Sequence, residues 1–333
     1  MMNFCTLFDS GYLVKGLALY LSLEKVSDDF HLYVMAFDQE CYDKLKEMNF
    51  SHLTVELWKE WETPEIKAVK GDRNRAEYCW TCGPSVIYHF LKHYSLPNIT
   101  YLDSDLFFLG NPKIAFDEIG TNSVAITEQG ISEKAEKMYG KYCVQFMFFR
   151  NDEDGIAALS WWRDSCVDWC YQRFEEDRFG DQKYLDKFPA KFNNVYVIQN
   201  PGVGIAPWNM NRYSYKEEGR VLIKNGKEYP IVFFHMHAIK SVVEGDCLVL
   251  RSLDAIINKK QEKYFFELYA ELTAKIINNN FKGGIAKVRV QGIASWRCLE
   301  LKLRGLLNKN KALRNLYHRI FGITEHGAGT RFN

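Results

Sequence analysis

The sequence lacks a long hydrophobic run, a leader pattern and a marked net charge. No stretch approaches about 18 uninterrupted apolar residues, so we expect no bilayer-spanning segment. The first residues carry no basic region ahead of a long apolar stretch, and they therefore do not predict a signal peptide. The formal net charge is only +1, which excludes a whole-chain field that would select nucleic acid.

Internal repeats and low-complexity linkers are also absent, which argues against a repeat architecture. The nine cysteines are an odd number without a small-domain framework, as expected of reduced thiols in the cytoplasm. Of 333 residues, 47% are hydrophobic and 26% are charged, which is typical of a soluble globular chain and not of a disordered, collagenous or coiled-coil one. The length suits one large domain or two small ones.

Charge is unevenly distributed along the chain. Residues 282–333 contain 11 basic side chains against two acidic ones, so the rest of the chain is acidic. Ahead of that tail, residues 252–281 have apolar residues at spacings of three and four, which predicts an amphipathic helix. We therefore predict a main domain at 1–250 and a helical, basic extension at 251–333. The basic, apolar segment 295–321 fits an anionic membrane surface, or packing on the acidic main domain or a second subunit.

Short strand patterns alternate with helical patterns through most of the main domain. This alternation predicts βαβ units and an α/β fold with a mainly parallel sheet. The predicted helices are 12–24, 40–48, 76–94 and 155–174, and the predicted strands are 4–8, 30–37, 53–58, 99–102, 123–127, 144–150, 195–199 and 231–235.

Two carboxylates, Asp103 and Asp105, end the apolar strand predicted at 99–102. Ligands of open α/β sheets bind outside the carboxyl ends of the strands, so both side chains lie where a ligand is expected. Two carboxylates this close repel each other unless a cation joins them, and Mg²⁺ or Mn²⁺ prefers oxygen ligands, including those of phosphates. The pattern predicts a metal that bridges protein and diphosphate, and an ordinary strand-to-loop turn is the alternative.

Several segments resemble the nucleotide-diphospho-sugar glycosyltransferases of the GT-A fold, of the glycogenin and lipopolysaccharide galactosyltransferase type. They are residues 77–85 with the helix that follows, the tyrosine-leucine-aspartate-serine-aspartate run at 101–105, and Asn111-Pro112. The resemblance covers residues 4 to about 240 in the family order. It implies a Rossmann-like GT-A domain with a mixed, mainly parallel sheet flanked by helices. It also implies a divalent metal, Mn²⁺ or Mg²⁺, and a nucleotide-diphosphate sugar, most often a UDP-sugar.

The same resemblance assigns roles near the reacting centre. Asp181 and Gln182 resemble the family's aspartate-glutamine pair, which implies contacts with sugar hydroxyls. His235, at the end of a strand, resembles the histidine that completes the metal site with the two aspartates. Gln145 is the polar substitute on a strand that usually reads phenylalanine-asparagine-serine-glycine in the family. Asp181, Gln182 and Gln145 form the predicted catalytic set.

A donor pocket is expected beside the metal, with Asp103 shared between the two. Asp9 and Tyr12 follow the first strand, where Asp9 can pair with a base edge and Tyr12 can stack on it, or Asp9 can cap the next helix. Arg75 suits a diphosphate, or lies in a solvated turn. Asn200 and Gly202 belong to a loop that resembles the one facing donor and acceptor in the family.

The resemblance predicts a metal-dependent hexosyltransferase acting on a saccharide or lipid-linked glycan in surface polysaccharide or lipopolysaccharide biosynthesis. We expect a cytoplasmic enzyme, peripheral on the inner face of the cell membrane, without a nucleic-acid partner. Two alternatives are a sugar-nucleotide hydrolase or nucleotidyltransferase with the same metal site, and a non-catalytic sugar-nucleotide-binding module. Retention and inversion, the latter with Asp181 as general base, both stay open.

Overall fold

The computed structural model describes residues 1–253, 255–281 and 283–292. The strands, in chain order, are β1 Met2–Phe8, β2 Phe30–Ala36, β3 Leu53–Leu57, β4 Asn98–Leu102, β5 Leu106–Phe108, β6 Val124–Glu128, β7 Tyr142–Arg150, β8 Val195–Val197, β9 Val203–Ile205, β10 Ser214–Lys216, β11 Val221–Lys224, β12 Lys227–Pro230, β13 Phe233–His235, β14 Ile239–Glu244, β15 Cys247–Ser252 and β16 Lys287–Gln291. The α-helices are α1 Leu13–Val26, α2 Gln39–Met48, α3 Pro64–Val69, α4 Arg75–His93, α5 Lys113–Ile119, α6 Glu133–Tyr139, α7 Glu153–Asp168, α8 Phe188–Lys191, α9 Lys259–Gln261 and α10 Leu268–Phe281, with a π-helical segment Glu262–Glu267 between the last two.

The central sheet has the strand order β3-β2-β1-β4-β7-β6-β8. Its neighbours pair in parallel except β7, which runs antiparallel to both β4 and β6. Every residue of β1 is buried, as expected of a strand covered on both faces. The predicted fold class, a mixed and mainly parallel α/β sheet flanked by helices, is therefore confirmed.

Hydrophobic cores lie on both faces of this sheet. One core packs α1, α2, α5 and α10 together, and the other packs α4 and α7. Successive strand residues point to opposite faces, so Phe4 of β1 belongs to the first core and Cys5 to the second. The first core is closed by a small sheet of order β5-β13-β9. This small sheet brings the end of β13 to the carboxyl edge of the central one.

The predicted helix 155–174 is wrong in its second part, because α7 ends at Asp168 and Trp169 is extended. Two contacts hold the chain in a non-helical path around the end of α7. The guanidinium of Arg73 donates to the carbonyl of Val167 near the helix end, at 3.3 Å. A carboxylate oxygen of Glu77 in α4 then accepts from the backbone N–H of Gln172 at 2.7 Å.

The described part of the predicted extension contacts the main domain. β15 spans the predicted boundary and pairs with both β14 and β16. Phe265, Phe266 and Tyr269 are buried in the same core as α1. The division at 250 stays a prediction, and the basic segment 295–321 lies outside the described residues. Within the ranges that the structure describes, no helix has the length and apolar character needed to cross a bilayer.

Candidate functional site

The Asp103-Ser104-Asp105 segment forms the turn between β4 and β5. The backbone N–H of Leu106 donates to the carbonyl of Asp103 at 3.2 Å, which closes the turn. β13 pairs antiparallel with β5 and places His235 opposite Leu106, while the N–H of Met236 donates to the carbonyl of Asp105 at 2.8 Å. Strand pairing therefore places His235 beside the aspartate turn, although about 130 residues separate them in the chain.

The three residues expected to hold a metal come together in the structure. The Nε2 atom of His235 lies 3.0 Å from Oδ1 of Asp105 and 3.7 Å from Oδ2 of Asp103. One ligand atom from each residue lies within 4.8 Å of the others. The side chains of Asp103, Asp105 and His235 are 27%, 12% and 5% exposed, so the cluster is largely shielded from water. Two carboxylates and one imidazole in this arrangement fit a divalent cation such as Mg²⁺ or Mn²⁺.

The charges of this cluster are strongly coupled. Burial raises the pKa of Asp103 to about 6, the charge of Asp105 adds to the rise and His235 opposes it. Burial also works against ionisation of Asp105, but attraction to His235, a hydrogen bond from it and the charge of Lys15 hold its pKa well below the usual value. Burial works to lower the pKa of His235, and the neighbouring Asp105 outweighs it and raises that pKa well above the usual value. The two carboxylates thus attract positive charge strongly, as their effect on the pKa of His235 shows.

Gln145 lies behind His235, in the middle of β7. Its side chain is completely buried, and its Oε1 atom is 2.9 Å from Nδ1 of His235. Its Nε2 atom donates to Oγ1 of Thr127 at 3.3 Å, and its backbone carbonyl accepts from the N–H of Asp103 at 3.1 Å. One residue therefore contacts two members of the cluster, the ring of His235 and the backbone of Asp103.

Lys15, on the first turn of α1, was not among the residues predicted from the sequence. Its Nζ atom lies 3.3 Å from Oδ2 of Asp105 and 4.6 Å from the centre of the Tyr12 ring. The spacing of three residues puts Lys15 and Tyr12 on the same side of the helix start, and this was the available signal. Lys15 reaches Asp105 because α1 packs against β5, and no local sequence pattern reveals this packing.

The predicted nucleotide residues Asp9 and Arg75 meet at the carboxyl edge of β1 and β2. Nε of Arg75 donates to Oδ2 of Asp9 at 2.7 Å, and Asp9 makes no helix-capping hydrogen bond. Asp38, another residue that sequence reasoning missed, lies 3.9 Å from the guanidinium of Arg75. It accepts from the N–H and the hydroxyl of Ser10, at 3.0 and 2.9 Å, and it caps α2.

Asp181 and Gln182 lie near the aspartate turn, and Gln182 contacts the end of α6. Burial raises the pKa of Asp181 to about 8, and repulsion from the charge of Asp103 adds to the rise. The backbone carbonyl of Asp181 accepts from the indole of Trp162 at 2.9 Å, which fixes the loop to α7. The side chain of Gln182 donates to the carbonyl of Tyr139 at 3.0 Å.

Asn200 and Gly202 contact each other and not the Asp9–Arg75 pair. The side chain of Asn200 accepts from the N–H of Gly202 at 2.8 Å and donates to the carbonyl of Pro230 at 3.2 Å. A Cβ atom on Gly202 would lie 2.1 Å from that same carbonyl, so only glycine fits there. In the part of the chain that the structure describes, no hydrogen bond or ion pair joins either residue to Asp9 or Arg75. Asn200 lines a separate cavity of about 350 Å³.

Comparison with solved structures identifies the fold. The galactosyltransferase LgtC, in complex with donor and acceptor sugar analogs, superimposes with a TM-score of 0.52 at 13% identity, over 82% of this chain and 96% of LgtC. An active-site mutant of LgtC gives a TM-score of 0.53 over the same shares. The chain therefore has the GT-A fold of the glycosyltransferases, as the sequence predicted.

Sequence comparison identifies the family. The chain is 31% identical over 251 residues to the uncharacterized protein YfnD of Bacillus subtilis (strain 168), which covers 73% of this chain and 80% of YfnD. It is 28% identical over 287 residues to the uncharacterized protein YfnF of the same organism, which covers 83% of this chain and 93% of YfnF. No protein-family model matches. The chain belongs to the family of YfnD.

Proposed function

We propose that this protein is a metal-dependent glycosyltransferase that moves a hexose from a nucleotide-diphosphate sugar, with a UDP-sugar as the expected donor. The acceptor is a saccharide or glycolipid of surface polysaccharide or lipopolysaccharide biosynthesis. The observation that carries the proposal is the convergence of Asp103, Asp105 and His235 at the carboxyl edge of a GT-A sheet. LgtC, which shares this fold, was solved with donor and acceptor sugar analogs, and this supports the assignment to sugar transfer.

Asp103, Asp105 and His235 would hold a Mn²⁺ or Mg²⁺, and such a cation would supply positive charge to stabilise the departing diphosphate. Lys15 adds a positive side chain at the same place, since its Nζ atom lies 3.3 Å from Asp105. An ammonium group there is suited to a charge-assisted hydrogen bond with a phosphate oxygen.

The neighbouring predicted residues divide the rest of the donor between them. Asp9 and Arg75 form an ion pair at the ends of the first strands, where a base and ribose are expected, and the ring of Tyr12 lies exposed beside them. Asp181 and Gln182 would orient sugar hydroxyls and exclude water from the reacting centre. Asn200 and Gly202 would shape the loop that faces donor and acceptor. In an inverting reaction Asp181 would be the general base.

The test is nucleotide release from a panel of UDP-, GDP-, CMP- and ADP-sugars with Mn²⁺ or Mg²⁺. We expect release from one donor class, dependent on the metal, and a loss of at least about 100-fold in Asp105→Ala, as is typical when an electrostatic group of the transition state is removed. Asp117→Ala is the matched control, because Asp117 is an exposed carboxylate on α5. Nucleotide release by the Asp117→Ala variant should match that of the wild type.

An added acceptor distinguishes the transferase from the two alternatives. Release that rises with saccharide or lipid-linked acceptor and yields a glycosylated product supports the transferase. Metal-dependent release that ignores every acceptor favours a hydrolase, and nucleotide binding without release favours a non-catalytic module. The proposal is contradicted if the wild-type protein neither releases nor binds any nucleotide diphosphate in the presence of metal.

Peripheral contact with the inner face of the cell membrane is a further part of this proposal, and it is supported by the basic composition of residues 282–333. Sedimentation of the full chain with phosphatidylglycerol vesicles tests it, with phosphatidylcholine vesicles as the control. We expect binding to the anionic vesicles alone, weakened by salt. Equal sedimentation with both kinds of vesicle, or with neither, would contradict it.

A further inference from the structure

Gln145 is an unusual residue for the centre of a buried strand, because its side chain has no exposed surface. A buried amide must satisfy its polar atoms within the protein, and here both ends do so. Oε1 faces Nδ1 of His235 at 2.9 Å, and Nε2 donates to Oγ1 of Thr127 at 3.3 Å. The group is therefore unable to contact a sugar, and any role in the site must act through its neighbours.

The contact with His235 has a chemical consequence. An amide oxygen only accepts hydrogen bonds, so the ring nitrogen that faces it must carry a proton. Without a cation, Nε2 of the charged ring donates to Asp105; once a cation displaces that proton, the proton on Nδ1 leaves Nε2 as the atom with a free lone pair. That atom is the one that lies 3.0 Å from Asp105 and 3.7 Å from Asp103.

The position of the amide is itself held from two further sides. Thr127, which accepts from Nε2, is buried on the neighbouring strand β6. A Cβ atom on Gly204 would lie 2.9 Å from Nε2, so the glycine leaves just enough room for the amide. The Gln145 side chain is thus fixed by a hydrogen bond at each end and by close packing against β9.

We infer that Gln145 is a positioning residue that holds His235 as the Nδ1–H tautomer, with Nε2 directed at the divalent cation of the two aspartates. The inference rests on the metal site of the proposed function, and it assigns to Gln145 a role different from contact with substrate. Outer-shell hydrogen bonds of this kind to metal-ligating histidines typically affect metal affinity 10- to 100-fold.

The first experiment measures the dissociation constant for Mn²⁺ alone, without donor, in three variants. Gln145→Met keeps the length of the side chain and removes the oxygen, so we expect Mn²⁺ to bind about 10- to 100-fold more weakly. Gln145→Glu keeps an acceptor at Nδ1 and should retain affinity at or above that of the wild type. Gln129→Met is the matched control, because Gln129 is a buried glutamine whose amide donates to the carbonyl of Gly140 and not to the histidine. Its affinity should be unchanged.

The second experiment reads which ring nitrogen of His235 carries the proton by ¹⁵N nuclear magnetic resonance in protein saturated with diamagnetic Mg²⁺. We expect the proton on Nδ1 in the wild type and in Gln129→Met, and on Nε2 in Gln145→Met. The wild-type spectrum alone is decisive if Gln145→Met does not fold, since a proton on Nε2 overturns the inference.

The outcomes separate this inference from the proposed function. If the wild type binds Mn²⁺ and Gln145→Met binds it equally well, Gln145 does not position His235 and the proposed function stands. If the affinity falls as much in Gln145→Glu as in Gln145→Met, packing and not the hydrogen bond matters, and the inference is overturned. Wild type that binds no Mn²⁺ overturns both.

Discussion

Asp38 joins the loop after β1 to the first turn of α2, and we predict that Asp38→Ala loosens both. One oxygen of its carboxylate accepts from the N–H of Cys41 at 2.8 Å, which caps the helix. The other accepts from the N–H and the hydroxyl of Ser10, at 3.0 and 2.9 Å. These three bonds hold the loop that begins with Asp9, where the nucleotide is expected.

The magnitude follows from these contacts. Loss of an N-cap costs about 1 kcal/mol. The two bonds from Ser10 to the carboxylate add about 1 kcal/mol each, below the roughly 1.5 to 3 kcal/mol of shielded bonds to charged partners, because the Asp38 side chain is 33% exposed. The total is about 3 kcal/mol, which corresponds to a fall of about 6 °C in Tm at roughly 2 °C per kcal/mol for a chain of this size.

The pH dependence has a definite sign. Burial works to raise the pKa of Asp38, but hydrogen bonds from Ser10 and Cys41 and the charge of Arg75 outweigh it and lower that pKa below its usual value of 3.8. A carboxylate whose folded pKa is lowered stabilises the fold fully above the unfolded pKa and loses this effect as pH falls through the folded value. The difference in Tm between wild type and Asp38→Ala should therefore be constant from pH 7 to about pH 5 and shrink below 3.8.

Thermal unfolding followed by circular dichroism measures both quantities. Asp43→Ala, at an exposed position of the same helix, is the control and should change Tm little. Asp38→Asn should fall between the two, because asparagine also caps helices but brings no charge to Ser10. Equal Tm values for Asp38→Ala and Asp43→Ala at pH 7, or a difference that persists unchanged below pH 3.5, would refute this reasoning.

Two further variants test neighbouring residues of α1, one for its charge and one for its packing. Lys15→Met should weaken metal-dependent UDP binding at least about 10-fold in calorimetry, because a charge-assisted hydrogen bond is lost. The control is Lys46→Met, which removes a lysine that lies over another tyrosine ring on α2 and should leave UDP binding unchanged. Equal effects of the two substitutions would contradict the role of Lys15. Gly16→Ala should lower stability by about 1 to 3 kcal/mol, since its Cβ atom would lie 2.3 Å from the buried ring of Phe8. Gly71→Ala, which meets nothing within 4 Å, is its control in the same thermal scan, and a harmless Gly16→Ala would show that the helix can move off β1.

The sequence predicted the central sheet well because its strands are short apolar runs separated by helices with clear boundaries. Asn74 and Glu77, for example, form a reciprocal capping box at the start of α4, close to the predicted start at residue 76. The strands β5, β9, β10 to β12 and β14 to β16 were not predicted. β10, β11 and β12 have only three or four residues each, β14 and β16 are half-exposed, and β16 pairs with β15 about 40 residues away in the chain.

The candidate site shows the same division between local and long-range information. The position at a strand end predicted Asp103 and Asp105 as ligands, because the carboxyl edge of a sheet is where ligands bind, and the resemblance to GT-A glycosyltransferases implied His235 as the third. Lys15 and Asp38 could not be predicted in this way, since each reaches the site from a helix start. Their position depends on how α1 and α2 pack against the sheet, and a lysine or an aspartate at a helix start is usually a surface residue or a cap.

The decisive long-range feature is the register of β13 against β5. Phe234 lies opposite Phe107, and His235 lies opposite Leu106, next to Asp105. Because successive strand residues point to opposite faces, a shift of one residue would turn His235 away from the aspartates and bring Phe234 toward them. Phe234 stacks on Phe265 with ring centres 4.7 Å apart, deep in the core that α1 and α10 share. The hydrophobic core thus fixes the register, and the register places the histidine at the site, so the candidate metal centre depends on apolar packing on the opposite face of the same strand.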